Sequence, residues 1–162
     1  MMIDLNHTFV TSDYHFGSYK LPFLNVYSQK EENRLIKNWN NTVDEDDLVY
    51  YNGDFCDGNL NDLCRYFKKL NGQIILVKGN HDIFPDNVYL TMFKDVVDKV
   101  VLEDLDLTIH HCPDKHNTKF EIYGHLHRDG DMLKHNSNSF CSCVQFNNGY
   151  PTSLEKVMMK LI

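Results

Sequence analysis

Five short apolar runs in this chain each stop at a cluster of aspartate, asparagine, histidine or glycine, and that repeated arrangement limits the fold more than any other feature. Thr8-Phe9-Val10-Thr11 leads to Ser12-Asp13-Tyr14-His15, and Asp47-Leu48-Val49-Tyr50-Tyr51 leads to Gly53-Asp54. Gln73-Ile74-Ile75-Leu76-Val77-Lys78 is followed at once by Gly79-Asn80-His81-Asp82. Leu105 to His110 is followed by His111, and Phe120-Glu121-Ile122-Tyr123 by Gly124-His125-Leu126-His127. Runs of this length and composition read as strands. In layered α/β folds, sites form on loops at the carboxyl ends of strands, so the five clusters are expected to converge.

Helices fall between the early runs. Ser28-Gln29-Lys30-Glu31 reads as a capping box opening a helix with Leu35, Ile36 and Trp39 on one face. A second helix, from about Asn59 to Leu70, carries Leu60, Leu63, Cys64 and Phe67 at helical spacing and ends at Asn71-Gly72. Val96 to Leu102 and Leu105 to His110 read as two strands joined by a turn at Glu103-Asp104, and Ser139 to Phe146 as a late strand. Thr152 to Glu155 reads as a capping box for a C-terminal helix. A β-α-β-α-β run followed by antiparallel-looking strands predicts an α/β fold, a mixed layered sandwich. With 162 residues, no repeat and no Pro/Gly/Ser linker, one domain over residues 1–162 is expected.

Charge and cysteine usage narrow the function classes. Net charge is −7, and the densest basic group is Lys68-Lys69 near Arg65, so no extended nucleic-acid surface is expected. There is no apolar run of about 18 residues to span a membrane. The N-terminal residues do not read as a secretory signal. Five cysteines, an odd number, read as reduced thiols in a cytoplasmic protein. Cys141 and Cys143 would share one face of a strand as small buried residues. The complete lack of Ala beside abundant Asn and Lys points to an AT-rich genome such as a phage's, which would put the protein in the host cytoplasm.

The clusters themselves offer mixed oxygen and imidazole ligands. Asp13 and His15, two apart on extended chain, are expected to point the same way, as are His125 and His127. Such a set suits Mn, Fe, Zn or Ni better than Ca or Mg. Gly53, Gly79 and Gly124 allow sharp turns and close backbone approach. Spacing alone does not choose between His110 and His111. His7, His116 and His135 fit no cluster and read as surface residues. Tyr14, Phe16 and Tyr123 read as packing residues near the site, Tyr50-Tyr51 as half core and half rim, and Asp44-Glu45-Asp46-Asp47 as a solvated turn.

Taken in order, the motifs D-x-H, G-D-x-x-D, G-N-H-D, H-x-P and G-H-x-H, spanning Asp13 to His127, resemble the calcineurin-like metallophosphoesterase superfamily. Asp13-Tyr14-His15-Phe16-Gly17, His111-Cys112-Pro113 and Pro151-Thr152-Ser153-Leu154-Glu155 resemble its small single-domain bacterial and phage branch. The resemblance implies a two-sheet mixed β-sandwich flanked by helices and a dinuclear metal site. One ion would be held by Asp13, His15, Asp54 and His127. The other would be held by Asp54, Asn80, His111 and His125, with Asp54 bridging and His111 chosen because the family's ligand stands two residues before a proline, here Pro113.

The ions would be two divalent transition metals, manganese foremost, with iron, zinc or nickel as alternatives. Two such ions with two aspartates and a bridging hydroxide leave roughly one net positive charge, which suits a phosphate group. His81, with Asn80, would contact the substrate. His81 would protonate or stabilise the leaving oxygen, and Asp57 would orient it, with Asp82 the other carboxylate that could do so. The implied activity is hydrolysis of a phosphoester, with the chain's small size favouring a phosphodiester of a nucleotide or other small molecule. A phosphomonoester or phosphoprotein substrate, or a non-catalytic metal-binding scaffold, stands as the alternative. Specificity is expected from the loops at Tyr19 to Tyr27 and Pro113 to Phe120.

Overall fold

The structure is a computed structural model that describes residues 3–18, 29–127 and 137–162. Two sheets carry it. The first has five strands, in the order β4-β3-β2-β1-β9: β4 (Asp95–Val97), β3 (Gln73–Val77), β2 (Leu48–Tyr51), β1 (Thr8–Thr11) and β9 (Thr152–Ser153). All pairs in it are parallel except β1 with β9. The second sheet runs β5 (Lys99–Leu102), β6 (Leu107–His110), β7 (Phe120–Tyr123), β8 (Ser139–Cys141).

Alternation along the first sheet divides the core in two. Phe9, Val49, Tyr51, Ile74 and Leu76 face helices α1 (Gln29–Asn40), α2 (Leu60–Phe67) and α3 (Asp86–Tyr89), where they meet Leu35, Trp39, Leu63, Tyr66, Tyr89 and Phe93. Val10, Tyr50 and Val77 point the other way and pack on Leu107, Ile109, Phe120, Ile122 and Phe140 of the second sheet. Helix α4 (Leu154–Leu161) adds Leu154, Val157, Met158 and Leu161 to that layer. Each such side chain contributes about 1.5–3 kcal/mol on full burial, so the sheet is fixed from both faces. The expected two-sheet, helix-flanked α/β sandwich is what forms.

Several local expectations are corrected. The run Val96 to Leu102 is not one strand: it breaks at Asp98, with β4 in the first sheet and β5 in the second. Apolar content at both ends hid a crossover between layers. The second sheet is not mainly antiparallel, because only β5 and β6 pair that way. The late strand stops at Cys141, and Val144–Asn147 is a 3-10 turn. The last helix is capped by Ser153, whose hydroxyl accepts from Lys156 N–H, while Thr152 lies in β9. Helix α2 is capped by Asn59 with Asp62 returning the bond, and helix α3 has no counterpart in the sequence reading. Ser28 of the first capping box, the Tyr19 to Tyr27 loop and His135 lie outside the described residues. Tyr50 and Tyr51 are both buried, so neither forms a rim. His116 is half-buried, its Nε2 3.5 Å from Glu121, whereas the exposed His7 pairs with Asp47.

Candidate metal centre

Every cluster singled out in the sequence follows the carboxyl end of a strand: β1, β2, β3, β6 or β7. Those ends share one rim of the two sheets. Asn52 joins the layers, its Nδ2 donating to the His110 carbonyl at 2.9 Å and to Ser142 Oγ at 3.2 Å. Ser12 pairs with Cys143 in an isolated parallel bridge.

The expected extended geometry around Asp13-Tyr14-His15 and His125-Leu126-His127 is not found. Asp13 (φ 62°), His15 (φ 47°), Asp54 (φ 59°) and His125 (φ 67°) all occupy the left-handed region. Convergence therefore comes from backbone kinks and not from strand alternation. Each non-glycine residue there costs on the order of 1–3 kcal/mol and persists only where its surroundings enforce it. The enforcing bonds are visible: Asp13 N–H donates to Gly53 O at 3.0 Å, and His15 N–H to Asp54 O at 3.1 Å. His125 N–H donates to the Asp13 carboxylate at 3.1 Å. The Asp82 carboxylate accepts from Asp54 N–H (2.8 Å), Phe55 N–H (3.0 Å) and Gly79 N–H (2.8 Å). Tyr51 Oη accepts from Tyr14 N–H at 3.0 Å and donates to Asp54 O at 3.3 Å. A Cβ on Gly79 would overlap the Asp54 carboxylate and stand 2.6 Å from its backbone nitrogen, so only glycine lets β2 and β3 loops meet here.

Two donor sets result. Ligand atoms of Asp13, His15, Asp54 and His127 all lie within 4.8 Å of one another. His127 Nε2 is 3.2 Å from Asp13 Oδ1 and 3.4 Å from His15 Nε2, and His15 Nε2 is 3.5 Å from Asp54 Oδ2. Asp54 Oδ2 also meets His111, whose Nε2 stands 3.1 Å from it and 3.2 Å from Asn80 Oδ1. His125 Nδ1 lies 2.9 Å from that same Asn80 oxygen. His110 turns away, with Nε2 at 2.8 Å from Glu121.

These residues fit a divalent ion. Donors sharing an ion at bonds of about 2.1 Å stand roughly 3.0–3.4 Å apart in tetrahedral or octahedral arrangements, close to the separations above. Tautomers agree as well. His15 Nδ1 must donate to the Asp57 carboxylate, at 3.1 and 3.2 Å, and His111 Nδ1 to the Asn52 carbonyl, at 2.7 Å. Both Nε2 atoms are thereby presented to the carboxylates, the usual support for a metal-ligating histidine. Burial opposes charge on His15, yet Asp13 and Asp57 overcome it and hold its pKa up to about 10. Burial likewise opposes charge on His111, where Asp54 and Asp13 hold the pKa up to about 9. Burial pushes the Asp13 carboxyl up, but His15, His111 and His127 outweigh it and leave its pKa at about 2.

Beside the donors, His81 Nδ1 lies 3.0 Å from Asp57, and His81 N–H donates to Asp54 Oδ1 at 2.8 Å. Of the two carboxylates that could orient His81, Asp57 is the one in contact, since Asp82 is committed to three backbone N–H groups. Sequence reasoning missed Tyr51, Asn52 and Gln145, whose Nε2 is 3.0 Å from His127 Nδ1. Their signals are ordinary polar or strand residues, and only packing gives them roles. Tyr14, Phe16 and Tyr123 are buried packing residues as expected.

Residues 7–140 match the family model described as calcineurin-like phosphoesterase, and the chain belongs to that family. It is thus a hydrolase of the phosphoester-cleaving class, in a family that usually binds two divalent metals. The chain is 27% identical to an uncharacterized protein of Methanocaldococcus jannaschii, over 99% of this chain and 93% of that protein. A crystal structure of a protein of unknown function from Aquifex aeolicus shares the fold, with TM-score 0.77 and 24% identity over 96% of this chain and 98% of that one. A nuclease of Pseudomonas putida aligns at TM-score 0.49 and 21% identity, over 74% of this chain and 60% of its own. Among the described residues, no helix is long and apolar enough to cross a membrane.

Proposed function

We propose that the chain, as one domain over residues 1–162, is a dinuclear metal-dependent phosphodiesterase acting on a nucleotide or another small phosphodiester. The observation that supports this most is the position of Asp54, whose Oδ2 lies 3.5 Å from His15 Nε2 in one donor set and 3.1 Å from His111 Nε2 in the other. Asp54 would be the ligand shared by two ions. Asp13, His15 and His127 complete one position, and Asn80, His111 and His125 the other, with manganese the foremost ion. When bound, two divalent ions would supply Lewis acidity at phosphoryl oxygens and would lower the pKa of a coordinated water so that it can act as nucleophile near neutral pH.

The chain's own groups do the rest. Asp57 holds His81 by Nδ1, which orients the ring and leaves Nε2 to hand a proton to the departing oxygen. Asp57 also holds His15, so one carboxylate sets both a ligand and the acid. Net charge of −7 without a dense basic group favours a small substrate over long nucleic acid. Five free thiols suit the cytoplasm. The test is steady-state hydrolysis of matched p-nitrophenyl diester and monoester with Mn²⁺. A higher kcat/KM on the diester is expected. Strong monoester preference overturns the diester assignment, and no turnover of either by chain carrying two ions overturns the enzymatic one.

A further inference from the structure

Cys112 stands between the ligand candidate His111 and Pro113, and it is exposed, whereas Cys56, Cys141 and Cys143 are buried and Cys64 is half-buried. Buried cysteine is ordinary core material. An exposed one gains nothing from packing, and this one has particular neighbours: its sulfur lies within 4.8 Å of ligand-type nitrogens of both His111 and His125. A sulfur and an imidazole nitrogen on one ion are separated by at most about 4.4 Å, the sum of their bond lengths, so a spacing bounded at 4.8 Å is near what a shared ion requires.

We propose that Cys112 is a further metal donor at the position of Asn80, His111 and His125, making that position select a thiophilic ion such as Zn²⁺, Fe²⁺ or Co²⁺ over Mn²⁺. The inference rests on the reading that those three residues hold a metal. Soft thiolate joined to two imidazoles favours such ions, whereas the Asp13, His15, Asp54 and His127 set has only oxygen and nitrogen donors. The two positions would then hold different metals, with manganese foremost only at the Asp13, His15, Asp54 and His127 position. On binding, the S–H bond breaks as the sulfur–metal bond forms, the proton leaves to water, and nothing is oxidised or reduced.

The test uses Co²⁺ alone as probe, on the full chain and on Cys112→Ser. Bound Co²⁺ per chain is measured by dialysis and elemental analysis, sulfur-to-cobalt charge transfer by near-ultraviolet absorption, and thiol access by iodoacetamide labelling with peptide mass spectrometry. Expected are two Co²⁺ per chain, a charge-transfer band that is lost in Cys112→Ser, and Cys112 labelling suppressed by Co²⁺ while Cys64 labelling is unchanged. The preference for Zn²⁺ over Mn²⁺ should fall about tenfold or more in the variant. The labelling comparison is internal to the wild-type chain, so it stands even if the variant folds poorly. Two bound Co²⁺ with no band and unprotected Cys112 overturn the inference and leave the dinuclear reading intact. A band that survives in Cys112→Ser also overturns it, and assigns the sulfur to Cys143, 3.2 Å from Asp13 Oδ2. No bound Co²⁺ overturns the dinuclear reading and the inference with it.

Discussion

The two donor sets differ in depth. Asp13, His15 and Asp54 are almost wholly buried, and His127 is backed by Gln145, so the first set sits under the sheet ends. In the second set Asn80 is exposed and His125 half-exposed, and only His111 and the shared Asp54 are buried. Asp57 holds His15, Gln145 faces His127 and Asn52 holds His111, while His125 meets Asn80 and lies edge-on to the His111 ring. The deep set is built as part of the core, and the shallow one is left open to solvent. Asp54 belongs to both, which ties the open position to the rigid one.

That contrast can be broken most severely at the shared residue. Asp54→Asn is expected to lower Mn²⁺-dependent diester hydrolysis by more than about 10³-fold and to reduce both metal occupancies, measured by kinetics and elemental analysis together, because each position loses a ligand. Loss of only one ion would show that Asp54 does not bridge. His81→Ala should lower kcat by about 10²-fold or more with two ions retained, the signature of a proton donor that is not a ligand. Asp57→Asn should cost less in rate, yet should also weaken metal binding at the deep position, by roughly tenfold, since it releases His15.

The gradient is sharpened by chelation and pH. Limiting chelator should remove one ion per chain first, and Asn80→Ala should lower the stoichiometry from two to one, whereas equal loss from both positions would deny the difference in depth. The smallest effect concerns stability of chelator-treated protein. His15 and His111 have pKa values raised to about 10 and about 9 from 6.5. Their protonation stabilises the fold fully below about pH 6.5, and that contribution is lost as pH rises through 9 to 10. The Tm of chelated protein should therefore fall between neutral pH and about pH 10, while metal-loaded protein, whose ions keep the positive charge in place, should show little change by calorimetry.

Much of this was legible in the chain because the relevant signals are local. Strand runs, the positions of Asp13, His15, Asp54, Asn80, His111, His125 and His127, and the helices after β1 and β2 follow from composition, spacing and resemblance. The same locality explains the errors. Val96 to Leu102 carries one apolar pattern across two sheets, and a local window contains nothing about which partner strand each half meets. Extended chain was expected at Asp13 and His15 because alternation is the simplest way to aim two residues together. The left-handed kinks found at Asp13 and His15 instead are held by the carbonyls of Gly53 and Asp54, about forty positions away, and the kink at Asp54 is held by Asp82, 28 positions on.

The sequence by itself determined the chemistry on offer: which residues carry oxygen, nitrogen and sulfur donors, and that they stand at strand ends. Tertiary structure alone decided how that chemistry is arranged. It turned His111 inward and His110 toward Glu121, assigned Asp57 to His81 and His15 and Asp82 to the backbone, and buried one donor set while leaving the other open. The physical reason is that ligand type is a property of a side chain, whereas depth, tautomer and orientation are set by neighbours that only packing brings within hydrogen-bond distance.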